Sequence, residues 1–127
     1  MKTYAYTDVG RQRNENQDSV FTSDDPIGNL PNLYIVADGM GGHAGGRYAS
    51  NCAVATVTQA IKEASLEEPV QVLEQAIQNA NQQILEEAAT LEHMSGMGTT
   101  IVASTIVNEV LYAANVGDSR LYIVNEN

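Results

Sequence analysis

Leu33-Tyr34-Ile35-Val36-Ala37-Asp38-Gly39-Met40-Gly41-Gly42-His43 is the stretch on which the reading of this chain turns. Its first five residues are nearly all apolar, the pattern of a central strand buried on both faces. An aspartate follows at once, and then a run of glycines. A carboxylate at the end of a buried strand is costly unless a cation or a hydrogen-bond network compensates it. Glycine lets the backbone approach a ligand closely and reach φ > 0. An Asp carboxylate beside a backbone carbonyl is an oxygen-only ligand set of the kind Mg²⁺ and Mn²⁺ take. On this stretch alone a second reading stays open, a strand-to-helix turn in which Asp38 accepts a structural hydrogen bond. A phosphate loop is excluded, because no Gly-Lys-Ser/Thr follows and the Gly-x-Gly-x-x-Gly spacing does not occur there.

Outward from that strand, residues 3–7 and 19–22 read as short strands, and residues 23–29 as a loop rich in turn formers. From Gly45 to about Ala64, small and apolar residues at Ala49, Cys52, Ala53, Val57, Ala60, Ile61 and Ala64 line one face of a helix. Residues 65–68 break it, and Pro69 suits the first turn of a second helix. Val70, Leu73, Ala76, Ile77, Ala80, Ile84, Leu85 and Ala88 carry that helix to about Leu91. The short connection implies an antiparallel helical hairpin. Residues 99–107 are rich in β-branched side chains and read as a strand, Asn108-Glu109 as a turn, and residues 110–115 and 121–124 as further strands. Strands, a helical hairpin, then strands again predict an α+β layered domain with an antiparallel sheet and helices packed on a face.

The 127 residues suffice for one domain and not for two independent cores. Six Lys and Arg against sixteen Asp and Glu give a formal charge of -10, which argues against nucleic acid and against anionic membrane surfaces as partners. A phosphate-bearing substrate would be repelled too, unless metal ions reverse the local sign. Cys52 is the only cysteine, so no internal disulfide forms, and its helical surroundings read as small core. The first residues lack the apolar stretch of a signal peptide, and no apolar run is long enough to span a bilayer. A cytoplasmic protein is expected.

Two further acidic elements echo the first. Asp18 closes Arg13-Asn14-Glu15-Asn16-Gln17-Asp18, and Asp118 lies in Val116-Gly117-Asp118-Ser119-Arg120. Either aspartate alone reads equally as a turn residue; three at strand ends suggest hard-metal chemistry. Arg13 is one of few cations here, able to grip a phosphate bidentately or to pair with Glu15 or Asp18 at the surface. His43, inside the glycine turn, could donate a proton or be a turn residue without a role. His93 reads as a helix-end residue.

Together these elements resemble the metal-dependent protein phosphatase family of the 2C type, in its compact bacterial form. The matching pieces run in the family's order: Thr7-Asp8-Val9-Gly10 with Arg13 and Asn16-Gln17-Asp18, then Ala37-Asp38-Gly39-Met40-Gly41-Gly42-His43, then Gly96-Met97-Gly98-Thr99-Thr100, then Val116-Gly117-Asp118-Ser119-Arg120. The resemblance implies an antiparallel β-sandwich flanked by antiparallel α-helices. It implies that Asp38 bridges two Mn²⁺ or Mg²⁺ ions, that the Gly39 carbonyl binds one, that Asp18 stands among or just outside the ligands, and that Asp118 serves a third metal. By the same resemblance Arg13 binds the substrate phosphate, and His43 is the candidate for protonating the leaving oxygen. The implied reaction is hydrolysis of phosphoserine and phosphothreonine on proteins, in bacterial signalling, by a water activated between two cations.

Only the N-terminal half of that family's domain is resembled. Residues 1–127 therefore read as the N-terminal portion of a single phosphatase domain, inactive or weak alone, because the family's later Asp-Gly and Asp-Asn elements are absent. Uncovered sheet would invite self-association or pairing with the missing C-terminal half. The alternative is a regulatory or binding module of the same fold without turnover.

Overall fold

The computed structural model describes residues 18–40, 45–65, 67–90 and 98–116. Within them the order is β1 (Asp18–Ser23), β2 (Leu33–Met40), α1 (Gly45–Glu63), α2 (Pro69–Thr90), β3 (Gly98–Val107) and β4 (Val110–Val116). The strands form one antiparallel sheet in the order β1-β2-β3-β4. The helical hairpin is inserted between β2 and β3 and packs on one face of that sheet. α1 lies over β1, β2 and β3, and α2 lies over β3 and β4. The predicted strands at residues 3–7 and 121–124 lie outside the described residues.

Alternation in the strands and helical spacing in the hairpin meet in one core. Leu33, Ile35 and Ala37 of β2, with Ile101 and Ala103 of β3, point at the helices. They meet Ala49, Ala53, Val57 and Ile61 of α1 and Val72, Leu73, Ala76, Ile77, Ala80 and Ile84 of α2. Each fully buried large aliphatic side chain contributes about 1.5–3 kcal/mol relative to exposure. Alanine at Ala49, Ala53, Ala76 and Ala80 lets the backbones of the layers approach closely. Leu85, expected on the buried stripe, is instead 58% exposed. It follows Ile84 by a single residue, and that rotation about the helix axis carries it past the stripe.

β2 departs from its sequence reading in two ways. It continues through Asp38 and Gly39 to Met40, because β3 supplies partners to the end: Gly39 pairs with Thr99 and Met40 with Gly98. Asp38 is thus inside an inner strand and not just beyond its end. Nor is β2 buried on both faces. Val36 is 47% and Met40 52% exposed, on the side away from the helices. Among the described residues no layer covers that side.

Two turns hold the strands in register. Asn108 and Glu109 both have positive φ, 51° and 68°, as a two-residue type I′ hairpin between β3 and β4 requires. Between β1 and β2, Ile27 and Leu30 exchange backbone hydrogen bonds of 2.9 and 3.0 Å around Gly28-Asn29. Gly28 has φ 57°, and a β-carbon there would lie 2.2 Å from the Ile61 carbonyl oxygen at the end of α1. Only glycine fits that contact.

Asn32 joins β2 to the end of β3. Its side-chain amide donates to the Ile106 carbonyl at 2.9 Å, and its Oδ1 accepts from the Ile106 N–H at 2.7 Å. The Thr105 hydroxyl lies 2.8 Å from the Asn32 carbonyl and 3.0 Å from Oδ1. The side chain thereby imitates a strand neighbour, and the buried polar atoms there are satisfied.

Candidate metal centre

The register of β1 on β2 places Asp18 directly opposite Asp38, and the register of β2 on β3 places Thr100 on Asp38's other side. Residues opposite each other in an antiparallel ladder share a face, with Cα atoms about 4.5–5.5 Å apart. Asp18, Asp38 and Thr100 therefore project from the sheet on the side away from the helices. Asp18 and Asp38 are partly buried and Thr100 is buried. Gly39 follows within β2 and is buried.

Two carboxylates directly across a ladder disfavour each other electrostatically. Their oxygens, with a backbone carbonyl at Gly39, fit a hard divalent cation, which takes oxygen ligands and supplies the opposing charge. A hydroxyl at Thr100 beside them adds a polar lining that the sequence reading left without a role. No cluster of three His, Cys, Asp or Glu able to hold a metal occurs among the described residues. The other residues singled out from sequence, Arg13, His43 and Asp118, lie outside the described residues. The structure thus brings Asp18 and Asp38 together, with Gly39 adjoining.

Behind the sheet, Cys52 is half-buried on α1, 3.5 Å from Glu87 Oε2 of α2 and 3.8 Å from Thr56 Oγ1. Burial pushes its thiol above the usual range, and the Glu87 charge adds to the rise. A thiol held protonated is a poor nucleophile, which agrees with its reading as part of the core. Tyr48, one turn earlier, has its phenol raised chiefly by a hydrogen bond to Glu87, so the hairpin is knit here by side chains of both helices.

These features define the class first: an α+β layered domain with a helical hairpin on one sheet face and a carboxylate pair on the other. The family model for Protein phosphatase 2C matches residues 10–127, and the chain belongs to that family. It is 42% identical over 127 residues to the serine/threonine phosphatase stp of Listeria welshimeri, covering 95% of this chain and 49% of the relative. Among solved structures, the serine/threonine phosphatase Stp1 from Staphylococcus aureus superposes with a TM-score of 0.79 at 32% identity, over 94% of this chain and 48% of that one. The catalytic domain of serine threonine protein phosphatase PstP in complex with 2 manganese ions gives 0.73 at 31% identity, over 89% and 46%. The chain spans about half the length of these relatives.

Proposed function

We propose that this chain is the N-terminal portion of a serine/threonine protein phosphatase domain, whose complete form hydrolyses phosphoserine and phosphothreonine on proteins with Mn²⁺ or Mg²⁺. The observation that carries the reading is the cross-strand placement of Asp18 opposite Asp38 on the side of the sheet away from the helices. The stated activity of the relatives and the manganese in one of them support it. Asp18, Asp38 and the Gly39 carbonyl would hold two divalent cations, and Asp118 a third. When bound, such ions lower the pKa of water and offset the charge of a phosphoryl group, which an acidic chain would otherwise repel. Arg13 would bind and orient the phosphate. His43 would give a proton to the departing serine or threonine oxygen.

The sheet face around the carboxylates supports the incompleteness of the site. Val20, Val36, Ile106 and Leu111 share it by register and are partly or well exposed, and in the complete domain a further layer would cover them and bring the remaining ligands. This chain alone would then be weakly active or inactive, and prone to pair with itself or with that missing portion through the same face. No helix among the described residues is long and apolar enough to cross a membrane, and a cytoplasmic setting is part of the same proposal.

The test is Mn²⁺-dependent hydrolysis of a phosphothreonine peptide by the complete domain and by the 127-residue chain. Turnover by the complete domain, abolished by Asp38→Ala, supports the reading. Arg13→Ala is expected to raise KM more than it lowers kcat. A complete domain that binds Mn²⁺ but turns nothing over would replace the enzyme with the regulatory alternative.

A further inference from the structure

We propose that Ser19, with Ser50 and Asn51, forms a clamp that pins the first residues of β1 to α1 and thereby sets where Asp18 stands opposite Asp38. The inference rests on the metal reading of that carboxylate pair. Among the described residues β1 is an edge strand, paired within the sheet with β2 alone. The ends of such strands open more readily than a sheet's interior. Asp18 is the first residue of β1, so its carboxylate goes wherever that end goes.

Ser19 follows Asp18 and, by strand alternation, faces the helices. Its hydroxyl donates to Asn51 Oδ1 at 2.5 Å and lies 2.9 Å from Ser50 Oγ. Between Ser19 and Ser50 either hydroxyl can be the donor, and the single Ser50 proton is shared between Ser19 Oγ and the carbonyl of Arg47. The Ser50 hydroxyl, fully buried, also lies 3.1 Å from the Arg47 carbonyl of its own helix. The clamp therefore closes on the N-terminal part of α1. That helix also packs on β2, the strand that carries Asp38. Both carboxylates are thus referred to one rigid element, Asp38 through the packing of β2 on α1 and Asp18 through Ser19. Ser19 is a positioning residue, and groups that fix a metal ligand commonly change metal affinity 10–100-fold when removed.

Two measurements on the full chain test this. The first is amide hydrogen exchange across β1 without metal; the second is Mn²⁺ affinity by calorimetry. Ser19→Ala is expected to speed exchange at the start of β1 and to weaken Mn²⁺ binding about tenfold. Ser19→Thr, which keeps the hydroxyl, is expected to restore both. Ile61→Val, trimming the core at the far end of α1, controls for general loss of stability and is expected to leave Mn²⁺ affinity unchanged. Unaltered exchange in Ser19→Ala overturns the clamp whether or not the chain binds metal. Unaltered affinity in Ser19→Ala, where the wild-type chain binds Mn²⁺, overturns its role in positioning the ligand. A wild-type chain that takes up no Mn²⁺ overturns metal binding by this chain alone, and with it the part of this proposal that concerns ligand position.

Discussion

Asp18 at the start of β1 and Asp38 near the end of β2 are direct cross-strand partners, facing away from the helical layer. Twenty residues separate them in sequence, and the β1–β2 ladder alone brings them together. The pair is the nucleus of the candidate site, and its energetics depend on whether a cation is present.

Mn²⁺ is expected to stabilise the folded chain. A ligand that binds only the folded state adds about 2.7 kcal/mol at a concentration 100-fold above its Kd. Asp38→Asn is expected to remove that gain, and Asp18→Asn to reduce it. Urea unfolding with Mn²⁺ and with EDTA measures both; equal midpoints for the wild-type chain in the two conditions refute the prediction.

Asn32→Ala is expected to cost about 2–4 kcal/mol, because it strips the Ile106 N–H and carbonyl of their side-chain partners at the junction of β2 and β3. Asn29→Ala, at an exposed side chain whose amide lies 3.3 Å from the Ala64 carbonyl, is expected to cost less than Asn32→Ala. Comparing the urea midpoints of the two variants decides whether Asn32 is the structural tie described above.

Both turns favour glycine, so removing it from one and adding it to the other have opposite effects. Gly28→Ala is expected to destabilise by more than about 1 kcal/mol, since the positive φ and the Ile61 carbonyl both oppose a β-carbon. Glu109→Gly is expected to stabilise by up to about 1 kcal/mol, because a non-glycine residue at φ 68° carries left-handed strain that exceeds glycine's extra entropy cost. Thermal melts of both variants check the signs, and a loss of stability in Glu109→Gly would contradict the reading of that turn.

Tyr34 makes stability fall in alkali. Desolvation, with a 2.9 Å hydrogen bond to Asp24 Oδ1 and that residue's negative charge, pushes its phenol from 10.0 up to about 12. The folded chain thus favours the protonated phenol more than the unfolded chain does. This contribution is complete below pH 10.0 and is lost as the pH rises towards about 12. Tyr34→Phe is expected to flatten the decline in urea midpoint across that window; an unchanged slope would exclude Tyr34 as its source.

Most elements were legible because their signals are local. β-branched and apolar runs marked β2 and β3, and the spacing of Ala49, Ala53, Val57 and Ile61 marked the buried face of α1. The resemblance of the short acidic motifs pointed to the phosphatase 2C family before any strand was paired. The serine clamp was not legible, since nothing in the sequence near Ser19 signals a partner on a helix some thirty residues away. Leu85 was misplaced because helical periodicity gives the centre of a buried stripe more securely than its edges.

By itself, then, the sequence determined which segments are strand or helix, the family, and which aspartates are candidates for holding metal. Tertiary structure alone decided that Asp18 and Asp38 face each other, that Asp38 lies within an inner strand, and that the sheet buries one face while Val36 and Met40 stay open on the other. Secondary structure follows from each residue's near neighbours, whereas register follows from pairing between distant strands, and a slip of one residue would turn every side chain to the opposite face.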